Sequence, residues 1–169
     1  MIEVYTGDGK GKTTAALGLA LRALGHGFRV LCIQFMKGDP KYGEVIISKK
    51  LPNFEIIQSG LPTFVKKGDP SCEDLRLAKE GFEKAKEAIK NGKYDMVILD
   101  EINVAMDYGL IEVRDVEKLI RECPENIELI LTGRYAPKRI LELADLVSEV
   151  REIKHYYKRG VKAREGIEY

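Results

Sequence analysis

Apolar residues recur along this chain with two different periods. Residues 2–6, 29–36, 54–58, 95–99, 127–131 and 146–153 form short apolar runs of strand length. Val30, Leu31, Ile33 and Phe35, or Met96, Val97, Ile98 and Leu99, leave almost no polar interruption, so these strands must be covered on both faces. Between the runs the period changes to that of a helix. Ala16, Leu17, Ala20, Leu21 and Leu24 mark a helix over 12–24 that Gly25 and Gly27 stop. A short helix is expected over 43–51, against the β-branched preference of Val45, Ile46 and Ile47. Ser71 is suited to cap a long helix carrying Leu75, Ala78, Phe82, Ala85 and Ile89, with Asp74 adding negative charge to its first turn. Val113, Val116, Leu119 and Ile120 mark a further helix that Pro124 ends, and Ala136-Pro137 opens another with proline in its first turn. Strands alternating with helices predict one α/β domain over residues 1–169. Its sheet is mostly parallel and six-stranded, with helices on both faces.

The chemistry lies where strands end. Thr6-Gly7-Asp8-Gly9-Lys10-Gly11-Lys12-Thr13-Thr14 joins the first strand to the first helix. Its glycines let consecutive N–H groups curl around an anion, and the helix adds its positive end. Lys12 supplies a point charge for phosphate oxygens, and the Thr13 hydroxyl is placed for Mg²⁺. This is a phosphate-binding loop of the P-loop NTPase (RecA-like) fold, although Thr6 stands where the usual pattern has glycine. A second constellation closes the fourth strand. Asp100 can hold a metal-bound water, and Glu101 can be a further metal ligand or a base. Thr132-Gly133-Arg134 ends the fifth strand, where open α/β sheets bind ligands. Arg134 either clamps phosphate or forms an ordinary surface ion pair. Lys37, after the second strand, either reaches the phosphates or does not. These features point to a nucleoside triphosphate with Mg²⁺ and leave the acceptor open. A kinase or NTPase and a non-catalytic nucleotide-gated module both fit the same residues.

Composition narrows the setting. The 169 residues carry 28 Lys and Arg against 27 Asp and Glu, a net charge of +1. This argues against a general nucleic-acid or membrane-surface binder. No apolar run approaches the ~20 residues of a membrane span, and no charged leader precedes the first strand. Cys32, Cys72 and Cys123 form no C-x-x-C pair and suit a reducing cytoplasm as small buried hydrophobes.

Taken together, the Thr6–Thr14 loop, Gly25-His26-Gly27, Gln34-Phe35-Met36-Lys37-Gly38, Leu99-Asp100-Glu101, Thr132-Gly133-Arg134, Lys154-His155 and the closing Gly160-Val161-Lys162-Ala163-Arg164-Glu165-Gly166-Ile167-Glu168-Tyr169 resemble the P-loop-type ATP:corrinoid (cob(I)alamin) adenosyltransferases over nearly the whole chain. The resemblance implies transfer of the 5′-deoxyadenosyl group of ATP to Co(I) of a reduced cobalamin or cobinamide-type corrinoid, with inorganic triphosphate leaving. It implies ATP bound in reverse of the usual P-loop direction, with Thr6 to Thr14 and Lys37 as its contacts and Lys12, Glu101 and Arg134 around the chemistry. Thr13, Asp100 and Glu101 become the metal residues. Because Co(I) is itself a strong nucleophile, Glu101 positions metal or water and abstracts no proton. A homodimer and a flavoprotein reductant are implied as well. In relatives, large side chains after the third strand displace the corrinoid's lower axial base. Here that loop is Ser59-Gly60-Leu61-Pro62-Thr63-Phe64, so Leu61 and Phe64 inherit the role in a chain without tryptophan. The first strand begins at once, without the extension that helps cover the site in enteric-type relatives, so a more open site is expected. Residues 154–169 would fray on composition alone. The resemblance makes them a lid or a nucleotide-contacting tail, with His155 and Arg164 as possible contacts.

Overall fold

The computed structural model describes residues 1–169. Its element order is β1 (Ile2–Thr6), α1 (Lys12–Gly25), β2 (Val30–Phe35), α2 (Gly43–Ser48), β3 (Phe54–Ser59), α3 (Cys72–Asn91), β4 (Met96–Asp100), α4 (Ile102–Asp107), α5 (Val113–Glu122), β5 (Glu128–Thr132), α6 (Lys138–Leu141) and β6 (Leu146–Glu149), with a 3₁₀ turn at Tyr156–Arg159. The six strands form one sheet in the order β3-β2-β4-β5-β1-β6, every pair parallel. All their C-terminal ends therefore open on one edge.

Period-two alternation sorts the strand residues onto two faces. Leu31, Ile33, Phe35, Val97, Leu99, Leu129 and Leu131 point into a core of 25 buried residues beneath α3, α4, α5 and α6. Val30, Cys32, Met96, Ile98 and Ile130 point the other way, into a cluster of 8 buried residues completed by Ala16, Ala20 and Ala23 of α1. Helices thus cover both faces, as expected. The α1 contact is narrower than its leucines suggest. Alanines make the buried stripe, and Leu21 is 65 % exposed.

Other details also depart from expectation. β6 ends at Glu149 instead of running to residue 153, because the chain then leaves the sheet edge to lie along the β1–α1 loop. Pro137 caps α6 from outside, in extended conformation, and is not within its first turn. Asp74 does more than add charge. It closes a capping box, its carboxylate accepting from the Ser71 N–H at 3.0 Å while its own N–H donates to Ser71 Oγ at 3.1 Å. α4 went unread, although Ile102, Ala105 and Met106 have helical spacing, because six residues are too few for the period to stand out. Of the cysteines only Cys32 is buried, and Cys72 is exposed. No helix is long and apolar enough to cross a membrane.

Candidate functional site

A cleft of about 780 Å³ opens along the C-terminal edge of the sheet. Its floor is the β1–α1 loop. Gly7 and Gly11 adopt φ values of 96° and 122°, which L side chains avoid. Gly7 and Gly9 are also held by packing. A Cβ on Gly7 would sit 2.5 Å from the Val150 carbonyl oxygen, and one on Gly9 would sit 2.8 Å from it. The strap after β6 lies that close, with Gly9 N–H donating to Val150 O at 2.7 Å and Val150 N–H to Thr6 O at 2.8 Å. α1 begins without a side-chain cap and without an acidic residue in its first turn, so its N-terminus keeps its affinity for an anion. Lys12 is buried, and its ammonium donates to Gly7 O and Gly9 O, each at 2.7 Å. Burial lowers its pKa from the ordinary lysine value.

Behind the floor stands Asp100, fully buried, at the end of β4. Three donors from three elements converge on it. Thr13 Oγ1 and Thr132 Oγ1 reach Oδ1 at 2.8 and 2.7 Å, and Lys37 Nζ reaches Oδ2 at 2.7 Å. Burial alone would lower the Lys37 pKa, but the paired carboxylate outweighs it and holds the ammonium above its ordinary value. Glu101, next in line, has φ 62° and lines the cleft. Burial, then the Asp100 charge, raises its pKa, opposed by Lys37, Lys12 and Arg134. Arg134 forms no surface ion pair. It faces the cleft and donates to the Asp8 carbonyl at 3.1 Å, bracing the loop. Three of the four positive-φ non-glycine residues, Met36, Glu101 and Tyr135, stand just past β2, β4 and β5. Backbone strain is thus concentrated at the edge that forms the cleft.

The predicted residues divide by depth. Gly9, Lys10, Gly11, Lys12, Thr13, Thr14, Lys37, Phe64, Glu101 and Arg134 line the cleft. Thr6, Gly7, Asp8 and Asp100 stand behind it and shape the loop. Of the two corrinoid candidates, Phe64 reaches the cleft and is fully exposed, whereas Leu61 does not line it. Leu61 belongs to a clamp between two loops. A Cβ on Gly38 would lie 2.3 Å from Gly60 O, and one on Gly60 would lie 2.5 Å from Lys37 N. His155 lines the cleft, while Arg164 lies outside it and bonds Glu168.

A family model described as ATP:corrinoid adenosyltransferase BtuR/CobO/CobP matches residues 1–169. The chain belongs to the ATP:corrinoid adenosyltransferase family. It is similar to the corrinoid adenosyltransferase of Escherichia coli K12, 38 % identical over 170 residues covering 100 % of this chain and 85 % of that protein. The corrinoid adenosyltransferase of Sinorhizobium is 37 % identical over 174 residues, covering 100 % of this chain and 80 % of its own. The corrinoid adenosyltransferase CobA of Salmonella typhimurium is 36 % identical over 170 residues, again covering 100 % and 85 %.

Several cleft residues of this adenosyltransferase-family chain escaped the sequence reading. Tyr108, just past α4, and Tyr135, after β5, line the same cleft as Phe64. Lys67 ties these rings together, 5.7 Å from the Tyr108 centroid and 5.4 Å from that of Tyr135, while bonded to Asp107 at 2.6 Å. Glu44 enters through a chain of amides centred on the buried Gln34, with Gln58 donating to Gln34 at 3.2 Å and Gln34 to Glu44 at 2.9 Å. The only signal for Tyr135 was its place one residue beyond Arg134. Gly166, Ile167, Glu168 and Tyr169, within the tail that the resemblance marks as a lid or nucleotide-contacting segment, return from the far end of the chain to form a wall.

Proposed function

We propose that this protein transfers the 5′-deoxyadenosyl group of ATP to Co(I) of a reduced corrinoid, releasing inorganic triphosphate. The observation that carries this reading, given the family, is a single cleft that joins the lysines of the β1–α1 loop to an exposed aromatic rim. The cobalt lone pair forms the new Co–C5′ bond. The C5′–O bond breaks, and its electrons leave on the triphosphate. Charge therefore builds on the leaving group, and the protein's task is to meet it with donors already in place. Lys12, the α1 N-terminus and Arg134 do this from the floor, and Lys10 and Lys37 add positive charge at its sides. No proton has to be removed from the nucleophile, so Glu101 positions and does not act as a base.

Thr13, Asp100 and Glu101 are the residues that would hold Mg²⁺, Thr13 and Glu101 from the cleft lining and Asp100, behind them, through a metal-bound water. Their all-oxygen donors suit a hard cation, and the Thr13–Asp100 hydrogen bond already orients two of them. No group of three His, Cys, Asp or Glu side chains is assembled to hold a metal. The substrate's phosphate oxygens would supply the remaining ligands, and the ion would neutralise triphosphate charge. Phe64, Tyr108 and Tyr135 offer the flat apolar surface that a corrin ring meets. The need for Co(I) implies a reductant, for which a flavoprotein is the proposed partner. The free thiols fit a reducing cytoplasm. A homodimer is the proposed assembly.

The test mixes purified protein anaerobically with ATP, Mg²⁺ and chemically reduced cob(I)alamin. A light-sensitive alkylcobalamin spectrum with stoichiometric triphosphate is expected. ADP or free phosphate as the main product overturns the reading in favour of a kinase or NTPase.

A further inference from the structure

The loop's two lysines have opposite surroundings. Lys12 is buried and held by its own loop. Lys10 is exposed and held by the far end of the chain, donating to Ile167 O at 3.0 Å and to Glu168 Oε1 at 3.1 Å. An ammonium has three N–H donors, and the third lies on the side of Tyr156, whose ring centroid is 6.0 Å away, while Lys10 lines the cleft.

Glu168 is the hub of residues 164–169. It accepts from Lys10, from the Tyr156 hydroxyl, and from Arg164 through its N–H at 2.7 Å, Nε at 3.3 Å and a terminal nitrogen at 3.2 Å. Glu168 N–H returns to Arg164 O at 2.9 Å, and Gly166 N–H donates to Tyr169 O at 2.8 Å, closing a turn. The turn sets the Tyr169 ring 6.4 Å from that of Tyr42 across the cleft mouth. None of residues 151–169 is buried. The segment therefore lacks the apolar burial that fixes the other walls and sits at the low-stability end of the fold. Its attachment is polar, and the side-chain link from this turn to the phosphate loop is Lys10–Glu168.

We propose that Glu168 is a positioning residue which, acting through Lys10, holds residues 164–169 as a lid on the nucleotide cleft, and that a triphosphate contacting Lys10 tightens the lid. Lys10 can turn the N–H on its Tyr156 side to a phosphate oxygen without leaving Ile167 or Glu168. One ammonium then bridges ligand and lid, and the order gained by one favours the other. This rests on the reading that ATP binds in this cleft. The opposite sign is physically distinct. If phosphate and Glu168 compete for Lys10, nucleotide opens the tail, and removing the carboxylate improves binding.

The test measures ATP binding by equilibrium dialysis and amide hydrogen exchange over residues 164–169, for wild type, Glu168→Ala, Glu168→Gln, Lys10→Met and the Lys10→Met/Glu168→Ala double variant. These positions lie outside the core, so folding is not at risk. In wild type, ATP should slow exchange in the turn. Glu168→Ala should raise the ATP Kd and KM about five-fold with a smaller change in kcat, the worth of one partly exposed charged link. Glu168→Gln should fall between. In the Lys10→Met background, Glu168→Ala should add nothing further. Tighter or unchanged ATP binding in Glu168→Ala overturns the lid, as does unchanged or faster exchange with ATP, or a full additional loss in the double variant. Wild type that binds no ATP overturns the functional reading itself, which separates the two failures.

Discussion

The two sides of the cleft are built by different means. The phosphate side stands on the ends of β1, β2, β4 and β5, and its buried charged groups, Lys12 and Asp100, are each held by more than one partner. Asp100 alone gathers Thr13, Thr132 and Lys37. The facing side consists of the 59–71 loop, Tyr135 and the C-terminal turn, where Phe64 is fully exposed and Tyr135 is 53 % exposed. Each side suits what it meets. Charge that appears on a leaving triphosphate is stabilised only by donors that need no reorganisation, so rigidity there lowers the barrier. A bulky, flat acceptor must enter and leave, so an open rim with adaptable side chains serves it better.

The sharpest way to break this comparison is at Lys12. Replacing it with alanine removes the buried cation from the loop. A fall in kcat/KM of about 10²-fold or more is expected, the cost of losing one preorganised transition-state donor. Single-turnover adenosylation should show the loss in the chemical step. A loss confined to the corrinoid KM would place Lys12 on the wrong side of the comparison.

Asp100→Ala tests the same side through stability. It strands Lys37, whose side chain is only 19 % exposed, beside two hydroxyls with nothing to accept from them. Breaking a buried pair from one end costs about 3 kcal/mol, so the urea midpoint should drop measurably. An exposed pair such as Lys66–Asp69 should show almost nothing when cut the same way.

The contrast also explains what could be read from the chain. The phosphate side was legible because its residues lie in consecutive runs at strand ends. Thr6 to Thr14, Asp100-Glu101 and Thr132-Gly133-Arg134 each carry their chemistry within a few positions. Their depth was not legible. Asp100 reads as a cleft carboxylate yet is sealed behind Thr13, because burial follows from how three strands and a loop converge. Gly7 and Gly9 read as phosphate-approach glycines, but they are equally glycines because Val150 passes so near. The facing side was hardly legible at all. Tyr108, Tyr135, Lys67 and Glu168 lie far apart in sequence and meet only in three dimensions. The resemblance pointed to the tail without saying that Lys10 would anchor it.

A change at Gly60 probes the joint between the two sides. Alanine there would drive a Cβ to 2.5 Å from Lys37 N and 2.6 Å from Met36 backbone atoms, which cannot yield as a side-chain tip would. The 59–71 loop should move away from the β2 end, taking Phe64 with it. The expected result is a several-fold rise in the corrinoid KM and a small fall in stability, typical of modest overpacking at about 1–3 kcal/mol. ATP affinity should change less, because Lys37 keeps its bond to Asp100.

A last pair of changes separates Phe64 from Leu61, the two residues that inherit the axial-base role, and the smallest effect is expected at Leu61. Phe64 contributes no buried area to the fold, so Phe64→Ala should leave the melting temperature unchanged. Burying such a side chain against a ligand is worth about 1.5–3 kcal/mol, so kcat/KM for the corrinoid should fall by roughly ten-fold to a hundred-fold, with the KM for ATP unaltered. Leu61 is half-buried beside the Gly38–Gly60 contact and away from the cleft lining. Leu61→Ala should therefore cost a little stability and change the corrinoid kinetics by less than about two-fold, as expected for packing lost away from the ligand. Equal kinetic losses in the two variants would mean that Leu61 swings into the cleft when the corrinoid binds. The acceptor side would then be remodelled by its substrate, and the free structure's exposed rim would be only its resting form.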